Sequence, residues 1–245
     1  VSSGMLSEDD YQKCLKHIST NYQDGQQAQV LSVVLLLCFR FGLRSMEALG
    51  LRRRDWCNYG DDTWILVRNN RFRSLKSDSS RRAIPLLFDL TENEHALIDK
   101  TLGQYELLPN SEKNHLLLSE VVNGSVQPLR FIYQIQSELI DVIRAVTGNQ
   151  RLVLHHARHS FYNLLAITLF DLNTPLTRTI STHLDKEAIR TKVLGNNTQP
   201  TRRASMALAV LMGHASPATG FKSYCRIMQE WRDQLTPMQS QRNLI

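Results

Sequence analysis

Residues 154–166 read LHHARHSFYNLLA, and the fold is read outward from them. His155 and Arg158 stand three apart, and Phe161, Leu164, Leu165, Ile167 and Leu169 follow at helical spacing. The pattern predicts a helix with one face in a core and with His155 and Arg158 as neighbours near its start. Free backbone N–H groups and the positive dipole end favour an anion there, and a guanidinium beside an imidazole adds directed donors for phosphate. Two plainer readings stay open at this point. An isolated HxxR is also what a solvated helix start looks like. His155 and His159, four apart, have a metal-ligand spacing, but no acidic or cysteine ligand accompanies them and zinc wants three or four ligands, so no metal is expected.

Upstream, Ser7 with Glu8, Asp9 and Asp10 marks a helix start, and Tyr11, Cys14, Leu15 and Ile18 supply its apolar stripe. Asp24 and Gly25 break the pattern. The run VLSVVLLLCF, residues 30–39, is then a buried helix too short to span a bilayer, closed by Gly42. In LRSMEALGLRRRDW, residues 43–56, Arg44 and Glu47 lie three apart on a short helix, and Arg52 to Arg54 read as a solvated face. Strands are expected at residues 64–67 and 82–86, joined by an arm that carries Arg71, Arg73, Lys76 and Arg81. The arm is either a solubilising loop or a mobile basic finger that lies along a nucleic-acid backbone.

Thr91 and Glu94 form a capping box for a helix reaching about Leu107. Residues 108–127 read as turns around a short apolar run, and Pro128 as the opening of a helix with Ile132, Ile135, Leu139, Ile140 and Ile143 on its core side, ending near Gly148. Residues 171–203 are polar, with one short helical piece at 185–194. A further helix runs from Arg202 to Gly213, His214 follows at once, and Tyr224 falls in the middle of the next helix. Residues 236–245 read as a frayed tail.

The 245 residues suffice for a sizeable core, and 42% hydrophobic with 21% charged residues is ordinary for a globular protein. A net charge of +6 points to a polyanionic partner. Cys14, Cys38, Cys57 and Cys225 are scattered without CxxC pairs, which fits a reducing, cytoplasmic setting with no membrane attachment. No internal repeat and no P-loop is present.

Four separated signals stand in one order: LRSMEALGL with Arg44, Lys76 on the arm, HHARHSF with His155 and Arg158, and LMGHASPATGFKSY with His214 and Tyr224. In this order they resemble the catalytic domain of the tyrosine recombinase (phage integrase) family, over nearly the whole chain. The resemblance implies an α+β fold, mainly α-helical with a small antiparallel β-sheet. It also implies one catalytic domain over residues 1–245, with an insertion at 171–203 and a C-terminal tail at 226–245. The resemblance further implies that the family's usual N-terminal core-binding domain is not among these 245 residues. The interval from His214 to Tyr224 is about one residue longer than the family's pattern.

Carried over by position, the resemblance makes Arg44 and Arg158 the phosphate clamp, His214 a further donor, His155 an acceptor or base, Lys76 the general acid and Tyr224 the nucleophile. Glu47 and His159 become supporting residues, and Arg71, Arg73, Arg81, Arg202 and Arg203 become DNA contacts. The implied activity is site-specific recombination of double-stranded DNA through a 3′-phosphotyrosyl intermediate, without metal, ATP or other cofactor. A homo-tetramer on DNA in a prokaryotic or phage-type cytoplasm is the implied setting. A catalytically silent DNA-binding protein on the same fold and a type IB topoisomerase-like relaxing enzyme are the alternatives.

Overall fold

The structure, a computed structural model, describes residues 4–60, 62–103, 115–122, 125–129, 132–182, 184–196 and 202–223. Its first two helices follow the punctuation of the sequence. Ser7 caps α1 (Glu8–Asn21) by accepting the Asp10 N–H, and Asp24 caps α2 (Gly25–Arg40) by accepting the N–H groups of Gln26 and Gln27. Tyr11, Cys14 and Ile18 turn the stripe of α1 into the core. From Gln29 to Arg40 every residue of α2 is buried. Helix α2 touches α1, α3 (Ser45–Leu49), α4 (Glu92–Gly103), α5 (Ile132–Thr147) and α6 (His155–Leu169), which makes it one axis of the core. Each fully buried Leu, Val or Phe on such a helix contributes about 1.5–3 kcal/mol of transfer free energy.

The second axis is α6. It was expected to bury one face, yet every residue from Ala157 to Leu169 is buried. Its polar side chains are satisfied by main-chain carbonyls: Ser160 Oγ donates to Leu6 O, Asn163 Nδ2 to His159 O and Thr168 Oγ1 to Leu164 O. Helix α6 packs on α2, on α8 (Lys186–Leu194) and on α9 (Arg202–Met212).

A three-stranded antiparallel sheet lies beside this core in the order β1 (Trp56–Tyr59), β2 (Asp62–Val67), β3 (Arg82–Pro85), with Ile65 opposite both Trp56 and Ile84. Strands β2 and β3 fall where the sequence places them, whereas β1 was not foreseen. Neither was the hairpin of β4 (Ser119–Val122) and β5 (Ser125–Pro128), in a stretch read as turns. Pro128 therefore closes a strand rather than opening a helix. Within 171–203, expected to hold one helical piece, α7 (Pro175–Ile180) precedes α8, and Ile189 and Leu194 of α8 are buried. The chain then runs through α9 into α10 (Pro217–Ser223). Of the expected C-terminal features, Tyr224 and the tail at 226–245 lie outside the described residues.

Two ion clusters fasten the periphery. Arg40, 2% exposed, donates to both Glu8 and Glu94, and Tyr11 Oη donates to Glu94, tying α1, α2 and α4 together. Asp55 accepts Arg52 Nε at 2.9 Å and Arg68 Nε at 2.7 Å. Arg52 is buried by this pairing and is not part of a solvated face.

Candidate active site

The site grows from the C-terminal end of α2. Gly42 stands in the left-handed region at φ +61°, and a Cβ there would lie 2.4 Å from Phe161 Cδ1, so only glycine lets the chain turn this tightly over α6. The turn delivers Arg44 to the start of α3. Three residues on, Glu47 reaches back so that Oε2 accepts the Arg44 N–H at 2.8 Å and Oε1 accepts Arg44 Nη1 at 2.7 Å.

Glu47 is 3% exposed and sits at the centre of a cationic cluster. Arg82, from β3, donates Nη1 to Oε1 at 3.0 Å and Nη2 to Oε2 at 2.8 Å, a bidentate pair. Arg158, from α6, places Nη1 3.8 Å from Oε2. Burial opposes ionisation of this carboxyl, but the hydrogen bonds and charge of Arg82, then the charge of Arg158, hold its pKa down to about 2. Arg44 and Arg158, distant in sequence, thus meet at one carboxylate. The Arg44 side chain is 27% exposed and that of Arg158 0%.

Arg158 also fastens two segments of main chain. Its Nη1 donates to Gly42 O and its Nη2 to Met212 O, at the ends of α2 and α9. Just beyond Met212, Gly213 turns the chain at φ +64°, where a Cβ would meet Arg82 Nη1 at 2.8 Å and the Ser80 backbone at 3.1 Å. His214 follows, 7% exposed. Burial, then the charges of Arg158, Arg44 and Arg82, push its pKa down to about 4. His155, on the exposed side of the first turn of α6, is likewise pushed down to about 4 by desolvation of its ring and then by the charge of Arg158. Arg44, Glu47, His155, Arg158 and His214 therefore share one electrostatic neighbourhood, and both imidazoles are neutral at pH 7.

The start of α6 differs from expectation. The N–H groups of His156 and Ala157 donate to Val153 O and Leu154 O, so they are not offered to an anion. Arg44, on the neighbouring turn, is the partly exposed cation instead. His159, 6% exposed, stacks edge-on against His155 at 4.9 Å and His156 at 5.1 Å, a packing role. No group of three or more His, Cys, Asp or Glu side chains with metal-holding geometry occurs among the described residues.

The arm between β2 and β3 is only partly the free finger anticipated. Asn70 and Arg73 exchange main-chain hydrogen bonds at 3.0 and 3.2 Å, and Asn70 Nδ2 donates to Gly50 O. Arg73 is 7% exposed and donates Nη1 to Glu47 O and Nη2 to Arg68 O. It is a tie between the arm and α3, not a side chain presented to a DNA backbone, because it is buried and both of its Nη groups are taken by main-chain carbonyls. Lys76 and Arg81 are exposed, as is Arg71, whose guanidinium lies over the Phe72 ring. The Lys76 ammonium forms no ion pair among the described residues, and no contact places it in the Glu47 cluster. Arg202 and Arg203 are exposed on the first turn of α9. Arg82 is the residue that sequence reasoning missed. Its signal was its register: Arg82 and Ile84 alternate with exposed Ala83 and so point to the buried side of β3.

The XerH site-specific recombinase, in a pre-cleavage complex with its difH substrate, superposes with a TM-score of 0.55 at 19% identity, covering 94% of this chain and 52% of that one. The XerA recombinase gives 0.53 at 16% identity over 96% of this chain and 64% of its own. The Tn1549 transposon integrase in complex with transposon right end DNA gives 0.52 at 16% identity over 97% and 67%. This chain thus spans about half the length of the XerH chain. No family model and no curated protein matches the sequence. With its mainly helical body, its three-stranded antiparallel sheet and these structural neighbours, the chain carries the catalytic fold of the tyrosine recombinases.

Proposed function

We propose that this chain is a site-specific DNA recombinase that breaks and rejoins double-stranded DNA through a 3′-phosphotyrosyl intermediate on Tyr224. The observation that carries the reading is the convergence of Arg44 and Arg158 on Glu47, with His155 and His214 inside the same field. Attack on a phosphodiester builds negative charge on the non-bridging oxygens, and two guanidiniums gathered at one buried carboxylate concentrate the positive charge that offsets it. In the proposed step the Tyr224 phenol oxygen bonds to phosphorus and its proton passes to His155, which is neutral at pH 7 and can accept it. The P–O5′ bond breaks, and Lys76 delivers a proton to the departing 5′ oxygen from the exposed arm. The phosphotyrosyl ester conserves the energy of the broken bond, so resealing by a 5′ hydroxyl reverses the same steps without ATP or other cofactor.

Arg71, Arg81, Arg202 and Arg203 supply backbone contacts under this reading, and the working assembly is a tetramer on two duplexes in a prokaryotic or phage-type cytoplasm. The DNA-bound XerH and Tn1549 neighbours support nucleic acid as the partner. Among the described residues no helix is long and apolar enough to cross a membrane. One observation favours the second reading, a DNA-binding protein that does not cut: the Arg158 side chain is fully buried and its two Nη atoms already hold Gly42 O and Met212 O.

A nicked duplex that traps the covalent intermediate separates the two. Recombinase chemistry predicts a protein–DNA adduct that survives denaturation and disappears in Tyr224→Phe. DNA binding with no adduct at any pH from 6 to 9 supports the non-cutting protein instead.

A further inference from the structure

We infer that Arg82 is a positioning residue of the proposed active site, holding Glu47 and thereby the Arg44–Arg158 pair in register with the segments that carry Lys76 and His214. The inference rests on the recombinase reading and goes beyond it, since Arg82 corresponds to none of the residues to which that reading gives a role.

The geometry is unusual for an arginine in a short strand. Its side chain is 1% exposed, yet every nitrogen is engaged. Nη1 and Nη2 grip the Glu47 carboxylate at 3.0 and 2.8 Å; Nε donates to Leu211 O at 2.8 Å; Nη1 also donates to Ser80 O at 2.8 Å. Those acceptors lie on three different pieces of the site. Glu47 belongs to α3 and orients Arg44. Ser80 ends the arm that carries Lys76. Leu211 lies in the last turn of α9, three residues before His214. A planar guanidinium with fixed donor directions can set the mutual placement of three segments in a way the point charge of a lysine cannot. Gly213, whose missing Cβ leaves room for Arg82 Nη1, completes the fit.

The charged groups facing Glu47 are Arg44 at the start of α3, Arg73 on the arm, Arg82 on β3 and Arg158 on α6, with His155 and His214 beyond them. Arg82 makes the largest contribution to keeping this carboxyl ionised against its burial. Without Arg82 the buried carboxyl takes up a proton at higher pH and lets Arg44 go. Loss of Arg82 therefore adds an acid limb to the cleavage profile, which a simple loss of stability does not produce.

The test compares the parent with Arg82→Gln, Arg82→Lys and the double variant Glu47→Gln/Arg82→Gln. Adduct formation on the nicked duplex is measured from pH 5.5 to 8.5, and the Glu47 carboxyl is titrated by NMR in the parent and in Arg82→Gln. The expected result is a single-turnover rate about 100-fold lower in Arg82→Gln, the scale of a misplacement near 1 Å. That rate falls further toward pH 5.5, DNA affinity stays within about twofold, and Arg82→Lys does not restore the parent rate. The Glu47 titration moves up into or above the ordinary carboxylate range. The double variant, which removes both partners of the Arg82–Glu47 pair and leaves only the buried Arg158 guanidinium without its carboxylate, regains part of the thermal stability but not cleavage. If the Glu47 titration stays put in Arg82→Gln, or if the double variant regains cleavage together with stability, Arg82 is only a structural strut and the inference is overturned. A parent that forms no adduct while the Glu47 titration still moves overturns the recombinase reading, and with it the catalytic purpose assigned to Arg82, but not its hold on Glu47.

Discussion

Replacing Glu47 by glutamine tests the centre of the site through stability alone. The residue is 3% exposed and its carboxyl is held at about 2 against an ordinary 4.5. A depression of that size favours the folded state by about 3 kcal/mol wherever the unfolded chain is ionised. The sign follows from the direction. The folded-state pKa lies below the unfolded one, so the contribution is fully present above pH 4.5 and is lost as the pH falls toward 2. Glutamine keeps the shape but leaves the guanidiniums of Arg82 and Arg158 in the interior with no carboxylate between them. Breaking a buried pair from one side in this way costs about 3–5 kcal/mol. Since domains of ordinary stability hold only about 5–15 kcal/mol in reserve, the variant should be folded but visibly weakened. In urea at pH 7.5 the midpoint should drop by about 1–2 M, taking a slope of roughly 2–3 kcal/mol per molar. The gap between parent and variant should stay constant from pH 8 to pH 5 and narrow below pH 4.5. A loss under about 1 kcal/mol at pH 7.5, or a gap that does not change between pH 6 and pH 3.5, would refute the assignment of Glu47 as the charged hub.

Three further outcomes follow from the same geometry. Gly42→Ala combines a left-handed backbone with a Cβ 2.4 Å from Phe161, so it should cost roughly 2–4 kcal/mol in urea unfolding, and a loss below about 0.5 kcal/mol would contradict the close approach. Because His155 and His214 are both held near pKa 4, kcat/KM for cleavage, which reports the free protein, should be flat from pH 8 down to about 5 and fall only as the pH approaches 4; a fall centred near 6.5 would show ordinary histidines. Arg71→Ala and Arg81→Ala should each lower the salt dependence of DNA binding by about one unit of log–log slope, while Arg73→Ala, with its donors on Glu47 O and Arg68 O, should leave that slope unchanged and lower thermal stability; a slope change in Arg73→Ala equal to the others would restore it to the DNA-facing surface.

The sequence was legible wherever spacing and punctuation agree. Ser7 and Asp24 cap the helices they were expected to cap, and Thr91 and Glu94 exchange both bonds of their box, with Thr91 N–H on Glu94 Oε2 at 2.7 Å and Glu94 N–H on Thr91 Oγ1 at 3.3 Å. The apolar spacing of α5 and the strands β2 and β3 were equally plain. Strand β1, WCNY, carries no alternation long enough to register, and the hairpin of β4 and β5 is held by pairing that a single sequence does not display. Helix α6 was misread as half-exposed because Ser160, Asn163 and Thr168 count as polar in a periodicity. In the fold they return their hydrogen bonds to main-chain carbonyls and lie in the core.

The arginines carried the largest gap. A charged side chain defaults to solvent, and only the folded chain brings Asp55 to Arg52, Glu47 to Arg82, and the main-chain carbonyls to Arg73 and Arg158. Ordered motifs nevertheless identified Arg44, Glu47, His155, Arg158 and His214, which lie together. Lys76 remains on the exposed arm, outside that cluster.

The most direct measurement is to trap the protein on a nicked duplex, digest the product with protease and locate the DNA-bearing residue by mass spectrometry. The account predicts a nucleotide ester on the peptide containing Tyr224, formed by the parent and reduced by about 100-fold or more in Arg44→Ala and in Arg158→Ala. DNA attached to any other residue, or attachment at Tyr224 that persists undiminished without those two arginines, would contradict it.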